Sequence, residues 1–295
     1  MRIEARGVTR RFGDVLALEA VGFTLPAGSR VALVGPNGSG KSTLNRILMG
    51  LIGYDGEVRI DGKAPDGARL ELARRMAYVP QSAPNLAVPA GELVAALSDV
   101  RGMDRRAVAR IAESLELDVA AIAARPFRGL SGGMKQKLLV SLALAANPDL
   151  LILDEPTGSL DARSRERLMP LLAEHAGSAT LLLCSHRLEE VRQLVDHVLV
   201  LQDGRLVYDG PAREFLETST RALIEVASES DAAARWLVER GFRRVSDQRW
   251  VRLARPAEKR ELLETLIKDL APQLDDVNVR DLEWLEVEGG RDGER

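Results

Sequence analysis

Gly35-Pro36-Asn37-Gly38-Ser39-Gly40-Lys41-Ser42 decides how the rest of the chain is read. The run fits G-x-x-x-x-G-K-[ST]; the apolar segment Val31 to Val34 leads in as a strand, and Thr43 to Met49 reads as a helix. Glycines let a backbone wrap closely around an anion, so the N–H groups of the loop and of the following helix N-terminus point at phosphate oxygens. Lys41 is placed to reach β- and γ-phosphates as a point charge, and Ser42 to offer its hydroxyl to Mg²⁺. A glycine-rich turn that binds nothing is the competing reading, and the strand–loop–helix context counts against it.

A second constellation completes the first. Leu150 to Leu153 form an unalternated apolar run that delivers Asp154 and Glu155 to a strand's carboxyl end, the edge at which open α/β sheets bind ligands. Asp154 suits Mg²⁺, and Glu155 suits the polarisation of a water for in-line attack. An Asp-Glu pair by itself is more often a solvated loop; joined to the phosphate loop it reads as the second half of an ATPase.

Outward from these motifs the grammar changes three times. Met1 to about Gly62 shows short apolar strands separated by Gly, Pro and Asp: 2–5, 17–25, 30–34 and 56–60. Pro84 to Ala146 is rich in alanine and leucine at helical spacing and reads as a helical insert, about 82–147. Two buried β runs, 150–153 and 180–184, then flank a helix at 163–175. Past Gly210-Pro211 the charge balance shifts: residues 216–295 carry 14 Lys and Arg against 18 Asp and Glu. The order there is strand 222–227, helix 231–240, strand pair around 244–253, helix 256–270 and a β-like stretch ending near Val287, which suggests a small α+β appendage. The expected architecture is α/β, a P-loop NTPase core with an N-terminal β subdomain and a helical subdomain. The expected division is 1–212 and 213–295.

Composition sets the outer bounds. The chain has 295 residues, 45% hydrophobic and 29% charged, which excludes a disordered tail, a collagen-like chain and a disulfide scaffold. Cys184, the one cysteine, has no partner for an internal bridge, and no export signal precedes the first strand, so a reduced cytosolic setting is expected. A net charge of −3 gives no basic footprint, and no nucleic-acid partner is expected. The apolar run Leu138 to Ala146 stops at Asn147-Pro148-Asp149, short of the roughly 20 residues a spanning helix needs.

Leu130-Ser131-Gly132-Gly133-Met134-Lys135-Gln136 resembles the signature loop of ATP-binding cassette (ABC) ATPases, usually Leu-Ser-Gly-Gly-Gln. Other landmarks of that family follow in order across residues 1–212: Phe12, the loop Gly35 to Thr43, Gln81, Asp154-Glu155, Asp161 and His186. The resemblance implies that Phe12 stacks on adenine, that Gln81 coordinates Mg²⁺ or the attacking water and senses a membrane partner, and that His186 contacts the γ-phosphate. It further implies that Ser131, Gly132 and Gly133 close on ATP held by the phosphate loop of an opposite subunit, with the Asp161 loop crossing the same interface. Met134 stands where the family usually has glutamine. Because Ser131 and Gly133 supply the phosphate contacts, retained competence with altered tuning is implied.

On this reading the chain is the ATP- and Mg²⁺-dependent subunit of an ABC transporter. It forms a head-to-tail dimer, a homodimer being the simplest, and drives a separate transmembrane permease subunit from the cytoplasmic face of the membrane. The stretch Asp275 to Leu285 looks like the C-terminal region of ATPases serving ABC-2 type exporters, which favours export. Gln81, where many of that branch carry glutamate, leaves an importer ATPase open, and a soluble iron–sulfur assembly ATPase is a further alternative. With Asp154 only 113 positions after Lys41 and no sustained heptads, a chromosome or repair ATPase is excluded.

Overall fold

Strands that are apolar without alternation build the central sheet, because each is covered on both faces. The computed structural model describes residues 1–282 except Ala176, Ser178, His186 and Thr220. The chain divides into two units, Met1–Ala212 and Arg213–Arg295.

The first unit opens with strands β1 (Ile3–Phe12) and β2 (Val15–Leu25), then β3 (Arg30–Val34), helix α1 (Lys41–Leu48) and β4 (Asp55–Ile60). Helix α2 (Arg69–Arg75) and β5 (Met76–Val79) lead to the helical insert: α3 (Ala90–Arg101), α4 (Arg105–Ser114), α5 (Val119–Ile122) and α6 (Gly132–Ala145). The chain returns through β6 (Leu150–Asp154), α7 (Ala162–His175), β7 (Thr180–Cys184), α8 (Leu188–Leu194), β8 (His197–Gln202) and β9 (Arg205–Pro211). Strand order in the six-stranded sheet is β5-β6-β7-β3-β8-β9, parallel except for the β8–β9 hairpin. An antiparallel sheet of order β2-β1-β4 is the β subdomain.

Side chains of the parallel strands alternate between two cores. Leu150, Ile152, Leu182 and Cys184 join α1 and the inner face of β1, β2 and β4. Leu151, Leu153, Leu181 and Leu183 join α6 and α7. A third cluster, with Phe127 wholly buried, fills the helical insert. Local capping agrees with the boundaries there: Asp104 accepts from Arg106 N at 2.9 Å to open α4, and Asp118 from Ala121 N at 3.0 Å to open α5.

Asp203 (φ 49°) and Gly204 (φ 78°) form the two-residue turn of the β8–β9 hairpin. Gly204 donates to Ser39 O at 3.2 Å and accepts from Glu19 N at 2.8 Å, so this turn supports the phosphate loop and holds β2 to it. Arg205 adds a bidentate pair to Glu19 at 2.7 and 2.9 Å.

The second unit begins in α9 (Ala212–Ser219) and continues as β10 (Arg221–Ala227), α10 (Asp231–Glu239), β11 (Arg243–Ser246), β12 (Arg249–Ala254), α11 (Pro256–Leu270) and β13 (Asp276–Leu282). Its antiparallel sheet has the order β11-β12-β10-β13, the split βαβ arrangement. Ile224, Trp250, Leu237 and Leu266 form a core of its own. Strand β13 ends at Leu282; the expected extension to Val287 lies outside the described residues.

Candidate functional site

The phosphate loop lies between the carboxyl end of β3 and the N-terminus of α1. Gly35 has φ 154°, and a Cβ there would fall 2.1 Å from Leu201 O, so only glycine lets the loop lie this close to β8. Gly40 opens α1 with φ 106° and no side-chain cap, leaving the first N–H groups of that helix directed at the loop. Lys41 Nζ donates to Gly35 O at 2.6 Å and Pro36 O at 3.0 Å, which holds the ammonium over the loop.

A cleft of about 290 Å³ gathers Asn37, Gly38, Gly40 to Thr43, Gln81, Asp154 and Glu155. These residues come from the ends of β3, β5 and β6, three strands of one sheet. Asp154 is buried, and its Oδ2 faces Ser42 Oγ at 3.4 Å and Tyr78 Oη at 3.3 Å. Burial lifts the Asp154 carboxyl above its ordinary value; the charge of Glu155 adds to this, against the Tyr78 hydrogen bond and the charge of Lys41. Burial likewise raises the Tyr78 phenol, with Asp154 adding to it. Glu155 has a left-handed backbone, φ 48°, and its N–H donates to Cys184 O at 2.9 Å, binding the end of β6 to the end of β7.

Ser131 and Asp161 are in a different place. Ser131 caps α6, accepting from Met134 N at 3.2 Å. Asp161 stands at the start of α7 and accepts from Ser164 N at 2.8 Å and Ser164 Oγ at 3.0 Å; the backbone N–H of Ser164 is the main reason its carboxyl sits below the usual range. Gly132 and Gly133 lie against Ser159, so the 131–133 and 159–161 loops adjoin within one chain. Neither loop lines the cleft that holds Lys41. Phe12 is also outside the lining. It sits 41% exposed at the tip of the β1–β2 hairpin, opposite Val15, with the Arg10 guanidinium 4.6 Å from its ring centre. His186 lies outside the described residues.

Four residues at the cleft carry no motif in the sequence. Val15, Leu16 and Ala17 form the apolar wall of the cleft, and Tyr78 touches Asp154. The signal for Tyr78 was its place three residues before Gln81 at a strand's carboxyl end. Cys184 is wholly buried, accepts from Asn45 Nδ2 at 3.1 Å, and has its thiol pushed far up by burial, which leaves it inert.

A family model described as ABC transporter matches residues 18–158. A Nod factor export ATP-binding protein I from Rhizobium sp. (strain N33) is 36% identical over 225 residues, 73% of this chain and 72% of the relative. The nickel import ATP-binding protein NikO of Rhodobacter capsulatus is 34% identical over 229 residues, 72% of this chain and 90% of the relative. Among solved structures, the ATP-binding subunit of an ABC transporter aligns with TM-score 0.66 and 26% identity over 73% of this chain and 92% of that one. A dimeric ABC cassette in a post-hydrolysis state, bound to ADP and Pi, aligns with TM-score 0.62 and 26% identity over 72% of this chain and 99% of that one.

Proposed function

The chain belongs to the ABC transporter family of ATP-binding proteins, ATP hydrolases, and from that premise we propose that its cleft hydrolyses MgATP between two copies and drives a separate transmembrane subunit. The observation that supports this most is the convergence of the phosphate loop with Gln81, Asp154 and Glu155 in one cleft. Loop N–H groups, the α1 N-terminus and Lys41 bind the phosphates; the Val15 to Ala17 wall lies along the same cleft, with Phe12 beyond it to receive adenine. Glu155 orients and deprotonates the attacking water, Gln81 contributes a neutral carbonyl, and His186 holds the γ-phosphate.

The residues present fit Mg²⁺. Ser42 Oγ and Asp154 Oδ2 are hard oxygen donors 3.4 Å apart, with the Gln81 side chain in the same cleft. Ser42, Asp154 and Gln81 would hold the ion, and phosphate and water oxygens would supply the rest of its oxygen ligands. Bound there, Mg²⁺ neutralises charge on the β- and γ-phosphates.

The separation of the 131–133 and 159–161 loops from the cleft supports a head-to-tail dimer, in which each copy's signature loop completes the other's site. No helix among the described residues is long and apolar enough to cross a membrane, which supports a partner that does. A groove bordered by Tyr78, Leu97, Arg101, Met103 and Leu142, with Tyr78 three residues before Gln81, is where we seat that subunit, at the cytoplasmic membrane face. Export is the direction proposed, on the likeness of Asp275 to Leu285 to exporter ATPases and on the similarity to the Nod factor export protein.

Glu155→Gln tests the reading. The variant is expected to retain MgATP and accumulate dimer by light scattering, while steady-state turnover falls by about 100-fold or more. Hydrolysis at the wild-type rate would remove Glu155 as the base.

A further inference from the structure

Glu190, on α8, is 5% exposed, and a carboxylate so deeply placed needs partners on its oxygens. It has one on each. Oε1 accepts from Thr157 Oγ1 at 2.5 Å, and Oε2 accepts from Ser185 Oγ at 2.6 Å. Both hydroxyl residues are themselves 1% exposed, and the distances are those of charge-assisted bonds. Ser185 Oγ accepts in turn from Arg187 N at 3.0 Å, and the Arg187 guanidinium stands 3.9 Å from Oε1.

The two hydroxyls belong to adjacent loops of the site. Thr157 is two residues beyond Glu155, in a turn closed by Gly158 N to Glu155 O at 3.2 Å and Leu160 N to Thr157 O at 3.0 Å. Ser185 follows β7 directly, one residue past Cys184, whose carbonyl accepts from Glu155 N. The left-handed backbone of Glu155 persists only if its surroundings over-determine it. One backbone bond before the turn and one carboxylate bridge after it do so. The Glu190 carboxylate does not line the nucleotide cleft, so it acts through the residues it holds.

We propose that Glu190 is a positioning residue for hydrolysis, its carboxylate bridging Thr157 and Ser185 so that the loop carrying Glu155 is fixed against the end of β7. The proposal rests on the reading of Glu155 given above. Removing the bridge leaves phosphate binding by Lys41 and the loop intact and lets the Glu155 turn move, so the loss appears in kcat and not in affinity.

The test is steady-state ATP hydrolysis and fluorescent-nucleotide titration of the full chain carrying Glu190→Gln, Thr157→Val, Thr157→Ser, or Glu190→Gln with Thr157→Val. Glu190→Gln and Thr157→Val are each expected to lower kcat by about tenfold or more, with KM and nucleotide affinity within about twofold of wild type. Thr157→Ser, which keeps the hydroxyl, restores turnover, and the double variant loses no more than the single ones. Unchanged kcat in Glu190→Gln, equal loss in Thr157→Ser and Thr157→Val, or fully additive losses would each overturn the bridge. Should Glu190→Gln fail to fold, the Thr157 pair decides alone. Glu155→Gln run alongside separates the two readings: turnover kept there removes Glu155 as the base and the positioning role with it, whereas turnover lost there but kept in Glu190→Gln overturns the bridge alone.

Discussion

Gly35 shows how closely one residue sets the site. Its φ of 154° and a would-be Cβ 2.1 Å from Leu201 O leave no room for a methyl group, and the obstacle is backbone of a central strand that cannot yield cheaply. Gly35→Ala is expected to cost about 1–3 kcal/mol in urea unfolding. Nucleotide affinity should fall with it, because the loop must lift from β8; a variant with wild-type stability and wild-type titration would contradict the fit. The loop that carries Lys41 and Ser42 was legible in sequence because its strand–glycine–helix pattern is written into one contiguous segment. Tyr78, Thr157, Ser185 and Glu190 were not: each acts on a partner between 5 and 76 positions away, and single polar residues carry no spacing that announces such a partner.

Among the elements, α6 has the widest reach. Leu138 and Leu142 enter the core of the helical insert, whereas Val140, Ala143 and Leu144 enter the core shared with β6, β7 and α7. An apolar run with no polar stripe is what a helix covered on all sides requires, and this explains why Leu138 to Ala146 reads as hydrophobic all round without spanning a bilayer. Leu138, wholly buried, is expected to cost about 2–5 kcal/mol on replacement by alanine, read as a lower denaturant midpoint at constant slope. A cost under 1 kcal/mol would show that α6 is not held from both sides. The elements of this region were legible as helices from alanine and leucine spacing, but their assignment to two cores was not, since periodicity reports that a face is buried and not against what.

At the level of the molecule, the two units have cores that share no residue: Ile224 to Val279 supply one, and Met1 to Leu206 the others. Calorimetry is therefore expected to resolve two transitions. MgATP at 100 times its dissociation constant stabilises only the unit that binds it, by about 2.7 kcal/mol, a rise of roughly 5–10 °C in that transition. A single transition, or equal shifts in both, would contradict independent cores. The α/β class and the β and helical subdomains were legible because strand runs, turn residues and helical spacing all pointed the same way. The split βαβ pairing of 221–282 was not, since strand order is set by contacts far apart in sequence.

The strand order of the central sheet also dictates when the site can come into being. Strand β3, buried along Val31 to Val34, lies between β7 and β8, which leave the ribosome some 150 residues later. At synthesis rates of about 5–20 residues per second the phosphate-loop strand waits roughly 8–30 s for either neighbour, an apolar segment open meanwhile to chaperones or to wrong pairing. A nascent chain that has not reached residue 180 already carries the complete loop motif, while β3 still has neither of its neighbours in the sheet. The sheet that displays the loop is thus completed only late in the chain's own translation.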